Sequence, residues 1–238
     1  MLHWCRGLGD FLFPRACEAC ALPLGFADPF CLCRTCLSTI APLPSPLCAR
    51  CGIPLMAPTS CARCQHDPPA FTAARAIGLY RANGDRLNPL ARAIWALKYH
   101  HRRSVAATLG ALLAERYPFP TDVTVVPVPL HIARLRERGF NQALLLARVL
   151  CRRRRLRLAP RALERQRATS AQAGLDAARR ATNLRGAFWV RDTRAVVERT
   201  IVLVDDVLTT GATAQACATA LRAAGAAAVF VYVVGRAP

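Results

Sequence analysis

Two hydrophobic periods alternate along most of this chain. Leu90, Ile94 and Leu97, then Leu109, Leu112 and Leu113, recur at helical spacing. They predict two helices on either side of residues 99–102. Residues 122–129 are rich in valine and bounded by proline, the pattern of a strand running into a loop. Residues 141–155 place Leu144, Leu145 and Val149 on one face of a predicted helix. Residues 187–190 predict a strand, 200–204 a buried strand, 212–224 a helix and 228–234 a final strand. A short strand is expected around residues 156–163, and a first strand running into Tyr80 after a Pro68-Pro69 linker. Residues 166–182 are polar and basic with little periodicity, which reads as a mobile loop. Strands alternating with helices predict a mostly parallel α/β sheet flanked by helices.

Ahead of this region, cysteine dominates the pattern. Ten of the twelve cysteines lie in the first 64 residues. That asymmetry divides the chain into a Cys-rich module over 1–66, with a short N-terminal helix, and an α/β domain over 67–238. The module carries four Cys-x-x-Cys pairs: Cys17/Cys20, Cys33/Cys36, Cys48/Cys51 and Cys61/Cys64. Two thiolates at this spacing reach one metal from a tight turn, and two such turns complete a tetrahedral zinc site. Sequential pairing leaves twelve residues between the first two pairs and nine between the last two, which suits small ribbons. An iron–sulfur cluster takes the same ligands. A disulfide scaffold needs an oxidising compartment, and a thioredoxin-like site needs one pair opening a helix. Cys31 competes with Cys33 for a place in the first set, and His66 is a spare ligand beside the last pair. Closed four-cysteine sites leave no open metal position, so the module is expected to serve structure or recognition.

The sharpest chemistry lies in residues 201–213. An apolar strand ends in Asp205 and Asp206, a turn of Val207, Leu208, Thr209, Thr210 and Gly211 follows, and a helix opens at Ala212 and Thr213. The carboxyl end of a parallel strand faces a ligand crevice. The free N–H groups of residues 209–213 and the helix dipole favour an anion such as phosphate. Gly211 lets the backbone approach closely, and three threonine hydroxyls add donors. Two carboxylates beside a phosphate need a reason, and hydrogen bonds to sugar hydroxyls with a divalent cation nearby supply one. The segment is neither a Walker loop nor Gly-x-Gly-x-x-Gly.

Composition adds limits. Hydrophobic residues make up 53% and charged residues 20%, which excludes a disordered chain. No apolar run reaches the roughly 20 residues of a membrane span. The first residues lack a cationic start followed by a clean apolar stretch, so a cytoplasmic protein is expected. The net charge is +19, and Lys98 is the only lysine. Frequent Ala, Arg and Pro point to compositional bias, which weakens the charge as a sign of nucleic-acid binding. Its distribution says more: residues 131–180 hold 14 arginines against Glu137, Glu164 and Asp176. Such a surface attracts phosphate-rich partners. Within that segment Phe140 is the one aromatic, which favours contact with a phosphate backbone over base stacking.

Residues 201–213 resemble the phosphoribosyl-pyrophosphate (PRPP) motif of type I phosphoribosyltransferases. The whole chain resembles the ComF family, the competence and DNA-utilisation branch of that superfamily. The resemblance is carried by the Cys-x-x-Cys module, Leu97-Lys98-Tyr99 and Val126-Pro127-Val128-Pro129. Arg138-Gly139-Phe140-Asn141-Gln142 and the Gln172, Leu175, Arg180, Asn183, Gly186-Ala187-Phe188 series extend it. It implies a type I phosphoribosyltransferase-like domain behind a double zinc ribbon. It implies that Asp205 and Asp206 hold the ribose hydroxyls and that residues 208–213 wrap the 5-phosphate. Arg134, Arg136 and Arg138 would lie near pyrophosphate and Mg²⁺, and residues 166–183, with Arg180, would close over the site. Guanidinium matches phosphate oxygens bidentately, which suits those arginines to a pyrophosphate clamp. The implied reaction is displacement of pyrophosphate from C1 of PRPP by a nitrogen nucleophile, in nucleotide salvage or DNA uptake. No general base is identifiable. The rival expectation is a non-catalytic, single-stranded DNA-binding competence factor that keeps the pocket as a sensor. A third is an accessory factor that contacts a helicase-like partner.

Overall fold

The strand predicted at residues 200–204 outruns its apolar segment. In the computed structural model, β8 spans Thr200–Leu208 and carries both aspartates inside the sheet. The structure describes residues 15–25, 30–57, 60–83, 86–116, 119, 122–166, 184 and 186–238. The strand is long because β9, Ala228–Arg236, pairs with it in parallel from Thr200↔Ala228 to Leu208↔Arg236. With β1 (Ala73–Leu79), β4 (Val123–Pro127) and β5 (Arg157–Leu158) they form one sheet of order β1-β9-β8-β4-β5. Every pairing in it is parallel. The expectation of a mostly parallel sheet flanked by helices holds.

Alternate residues of β8 serve opposite faces, as strand geometry requires. Val202 and Val204 pack with α3 (Pro89–Tyr99), α4 (Val105–Arg116) and α6 (Gln142–Arg154) through Leu97, Leu109 and Leu146. Ile201 and Leu203 pack with α7 (Ala212–Ala223) through Cys217 and Leu221. Capping sets the start of α3: Asn88 Oδ1 accepts from Ala91 N at 2.9 Å, and Pro89 occupies the first turn.

Several boundaries differ from the sequence reading. The predicted loop after Pro129 contains a helix, α5, Ile132–Arg138. His131 caps it, accepting from Ala133 N at 3.2 Å, and its residues are strong helix formers. The strand expected around 156–163 divides. β5 joins the parallel sheet, while β6, Leu163–Arg165, pairs antiparallel with β7, Phe188–Val190. β1 spans Ala73–Leu79 and so ends one residue before Tyr80. A hairpin of β2 (Ala82–Asn83) and β3 (Arg86–Leu87) precedes α3. The expected N-terminal helix and residues 167–183, including Arg180, lie outside the described residues.

The Cys-rich segment is fastened to the sheet in two places. Leu32 and Ile40 are buried in one core with Leu90, Leu97 and Leu109. Each fully buried leucine contributes about 1.5–3 kcal/mol, so this is a shared core and not a tethered appendage. Arg92 Nη1 donates to Ala19 O at 2.6 Å and Arg116 Nη2 to Ile40 O at 2.7 Å. Further along, Leu43, Leu47 and Phe71 join the opposite core with Ala74 and Val229. Among the described residues, no helix is long and apolar enough to cross a membrane.

Candidate functional site

Strand β4 leads rightward to β5, whereas β8 leads leftward to β9. The two are neighbours, and their chains leave in opposite directions across opposite faces. This is the switch point of an open α/β sheet, where a crevice forms outside the carboxyl ends. The Pro129 segment with α5 and the Asp205-to-Thr213 segment both leave the sheet there. Asn141 tethers the first: its Nδ2 donates to Val128 O at 3.0 Å while its Oδ1 caps α6.

The two aspartates lie on opposite faces of β8. Asp206 is only 3% exposed and its Oδ2 lies 2.9 Å from Lys98 Nζ. Burial alone would lower the Lys98 pKa, but the charge and hydrogen bond of Asp206 raise it, so the ammonium persists. Asp205 faces the other side, near Cys217 and Arg165. Burial pushes its carboxyl up to about 8, with Asp206 adding to the shift and Lys98 opposing it. Its Oδ1 accepts from Asp206 N at 2.8 Å.

Beyond the acid pair, Val207 and Leu208 complete β8 and Thr209, Thr210 and Gly211 make the turn. Gly211 has φ +82°, a left-handed conformation that glycine adopts without strain, and it caps α7 directly before Ala212 and Thr213. Thr210 Oγ1 accepts from Ala212 N at 3.4 Å. Arg236 fixes the approach to this turn from beneath. It is 6% exposed, and Nη1 donates to Leu208 O at 2.9 Å and also to Thr209 O.

The arginines of α5 diverge. Arg134 pairs with Glu137 at 2.8 Å, and its charge reaches Arg165. Arg136 is exposed. Arg138 donates to Gln142 Oε1 at 2.7 Å, and its guanidinium lies 5.6 Å from the Tyr99 ring centre. Sequence reasoning missed Lys98, Arg165 and Arg236 as members of this region. Two signals pointed to Lys98: it belongs to the Leu97-Lys98-Tyr99 series that carries the family resemblance, and it stands alone among arginines.

The eight knuckle cysteines form two quartets, Cys17/Cys20/Cys33/Cys36 and Cys48/Cys51/Cys61/Cys64. Within each, all sulfurs lie within 4.8 Å of one another, which fits a tetrahedral zinc site with four thiolate ligands. None of the described cysteines is in a disulfide. Cys33 takes the place for which Cys31 competed; Cys31 instead contacts Thr108, Sγ to Oγ1 3.1 Å. His66 belongs to neither quartet. Although burial works against ionisation, N–H groups of Cys33, Cys20 and Ala19 bring Cys17 down to about 7. In the second quartet, N–H groups of Cys61, Cys51 and Arg50 overcome burial and bring Cys48 to about 6. Each quartet therefore offers one ready thiolate. A short helix follows the third ligand in each: α1, Arg34–Ser38, and α2, Ala62–His66.

Comparison with known proteins fits both halves. The double zinc ribbon domain family matches residues 8–65. DNA utilization protein YhgH of Escherichia coli O6:H1 is 34% identical over 227 residues, covering 92% of this chain and 96% of that protein. Competence protein F of Haemophilus influenzae is 31% identical over 215 residues, covering 87% and 90%. The chain belongs to the ComF family. Its ComF-type zinc ribbons are thus two structural four-cysteine sites, ahead of an α/β sheet. Among solved structures, a hypoxanthine phosphoribosyltransferase from Staphylococcus aureus is similar over 57% of this chain and 72% of its own, with TM-score 0.33 and 13% identity.

Proposed function

We propose that this ComF-family protein binds PRPP, or a nucleotide 5-phosphate, with Mg²⁺ at the crevice between β4 and β8, and works in the use of incoming DNA or in nucleotide salvage within the cytoplasm. One observation carries the reading: the acid pair, the threonine turn and the start of α7 converge at the sheet's switch point. Backbone N–H groups and hydroxyls of residues 209–213 hold the 5-phosphate. Asp205 and Asp206 hold the ribose hydroxyls. Lys98 pairs with Asp206 and fixes its orientation, so the pocket does not present two uncompensated charges to an anionic ligand. The chemistry of the donor set fits the cation, since adjacent carboxylates are the hard oxygen ligands that Mg²⁺ takes. Held by these carboxylates, Mg²⁺ would supply positive charge against the pyrophosphate.

In the reaction this site suits, the C1–oxygen bond to pyrophosphate breaks and pyrophosphate leaves with the electron pair. A bond forms from C1 to a nitrogen of the acceptor, whose proton passes to solvent. The residues supply position and charge, with Arg134 and Arg165 on the Asp205 side of the crevice. The test is pyrophosphate release from PRPP and Mg²⁺, with free nucleobases and single-stranded DNA as acceptors. Acceptor-dependent release that disappears in the Asp205→Asn/Asp206→Asn variant supports transfer. No release with any acceptor removes it.

A second reading, single-stranded DNA binding, gains support from a surface that was not visible in sequence. Tyr99 and Trp95 are 55% and 44% exposed, and their rings lie 5.2 Å apart. Arg138 lies against Tyr99, and Arg103 lies 5.0 Å from the ring centre of Phe140. The basic segment thus borrows its aromatics from the end of α3. Stacked bases with neighbouring arginines suit such a surface. Binding that weakens tenfold or more in Trp95→Ala/Tyr99→Ala, and steeply with salt, supports it. Unchanged binding rules out this surface.

A further inference from the structure

The second cysteine quartet and the threonine turn meet around one small cavity, about 50 Å³ in volume, lined by Cys51, Cys64, Arg63, Thr210, Gly211 and Arg236. Arg236 spans it. Its guanidinium lines the cavity beside Cys51 and donates to the carbonyls of Leu208 and Thr209. This arginine is buried, so its contacts are fixed and not sampled among many. Two further ties hold the same parts together. Ala70 N, just past the ribbon, donates to Gln215 Oε1 on α7 at 2.8 Å. Arg50, between two ligands, accepts at its carbonyl from Ala74 N of β1 at 2.6 Å. The fit leaves no slack at Gly52: a side-chain carbon there would lie 2.4 Å from Ala74 O. Among the described residues, the first quartet has no such route, for its contacts run to α3 and α4.

We propose that Arg236 is a positioning residue that couples the second zinc ribbon to the anion-binding turn, so that metal retention at Cys48, Cys51, Cys61 and Cys64 and occupancy of the turn reinforce each other. The coupling rests on the phosphate reading above. A zinc-bound Cys51 thiolate is a fixed, negatively charged partner for the guanidinium, which anchors the carbonyls and sets the direction of the N–H groups beyond them. Without the metal, or with the quartet oxidised, the guanidinium loses its anchor and the turn loosens. By reciprocity, a ligand that orders the turn must tighten the metal by the same factor.

The experiment challenges the full zinc-loaded protein with a chelator and an alkylating agent, and reads each cysteine by peptide mass spectrometry. Both quartets are then followed in one sample. PRPP with Mg²⁺ is expected to slow alkylation of the second quartet about tenfold and to leave the first unchanged. Arg236→Gln removes that selective protection, and Arg236→Lys restores part of it. PRPP binding is measured separately on the same samples. Normal PRPP binding with equal protection of both quartets, or of neither, overturns the coupling alone. No PRPP binding by the parent overturns the phosphate reading and the coupling with it.

Discussion

In the first ribbon, Cys17 N donates to Leu22 O at 2.8 Å, and a bridge joins Ala16 to Pro23. In the second, Cys48 N donates to Ile53 O at 2.8 Å, and a bridge joins Leu47 to Pro54. The local construction is the same: a knuckle closed by a single antiparallel bridge, then a second knuckle whose short helix follows its first cysteine. The surroundings differ. The first ribbon sends Leu32 and Ile40 into the core of α3 and α4 and receives Arg92 and Arg116 at its carbonyls. The second presents Cys51 and Arg63 to the threonine turn and rests its backbone on β1. One ribbon therefore supports the helical scaffold, and the other supports the site. Identical metal chemistry takes its role from what the metal-bound turn touches.

The largest effects break the comparison directly. Cys17→Ser should release the first metal and lower the melting temperature most, because it loosens a shared core. Cys48→Ser should release the second metal and lower PRPP affinity most. Metal content, melting and ligand titration on both variants check this, and equal losses in each would erase the distinction. Next, Lys98→Met should cost about 3 kcal/mol, since it leaves a buried carboxylate without its partner. Adding Asp206→Asn should recover most of that loss in denaturant unfolding, whereas an unpaired charge plays no part if it does not. Gly52→Ala should cost about 2 kcal/mol or more, because the residue has φ +68° and abuts Ala74 O. The loss should fall on the second ribbon, read as faster alkylation of Cys51 than of Cys20.

The finest prediction concerns pH. The unfolded Asp205 carboxyl loses its proton near 4, while the folded one keeps it to about 8. Between those values the unfolded state binds fewer protons, so stability should fall as pH rises, by less than about 1.4 kcal/mol per pH unit for one proton. Asp205→Asn should flatten that slope. An identical slope in parent and variant would assign the titration elsewhere.

The features legible in sequence were those written locally. The knuckle spacing dictated sequential quartets, and the apolar run, acid pair and Thr-Thr-Gly turn announced a crevice at a strand end. Tertiary placement was not legible. Asp205 and Asp206 read as a pair, yet neighbouring residues of a strand face opposite sides, and only Asp206 meets Lys98. Arg236 reaches the region from β9, the strand beside β8, and Arg165 from the separate β6–β7 pair, with no local pattern to mark them. Helix α5 was hidden because a proline-bounded, arginine-rich stretch reads as loop, although His131 and Gly139 bracket it as caps. Tyr99 looked isolated from the basic segment until folding set Arg138 against it.

The proposed PRPP site at the acid pair depends on Mg²⁺. Calorimetric titration of the zinc-loaded chain with PRPP, with and without Mg²⁺, tests it most directly when repeated on Asp206→Asn. Saturable binding that requires Mg²⁺ is expected, at least tenfold weaker in the variant, which loses melting temperature with the Lys98 pairing but keeps its zinc and stays folded at the titration temperature. Binding of equal strength in parent and variant, or none in the parent, would contradict it.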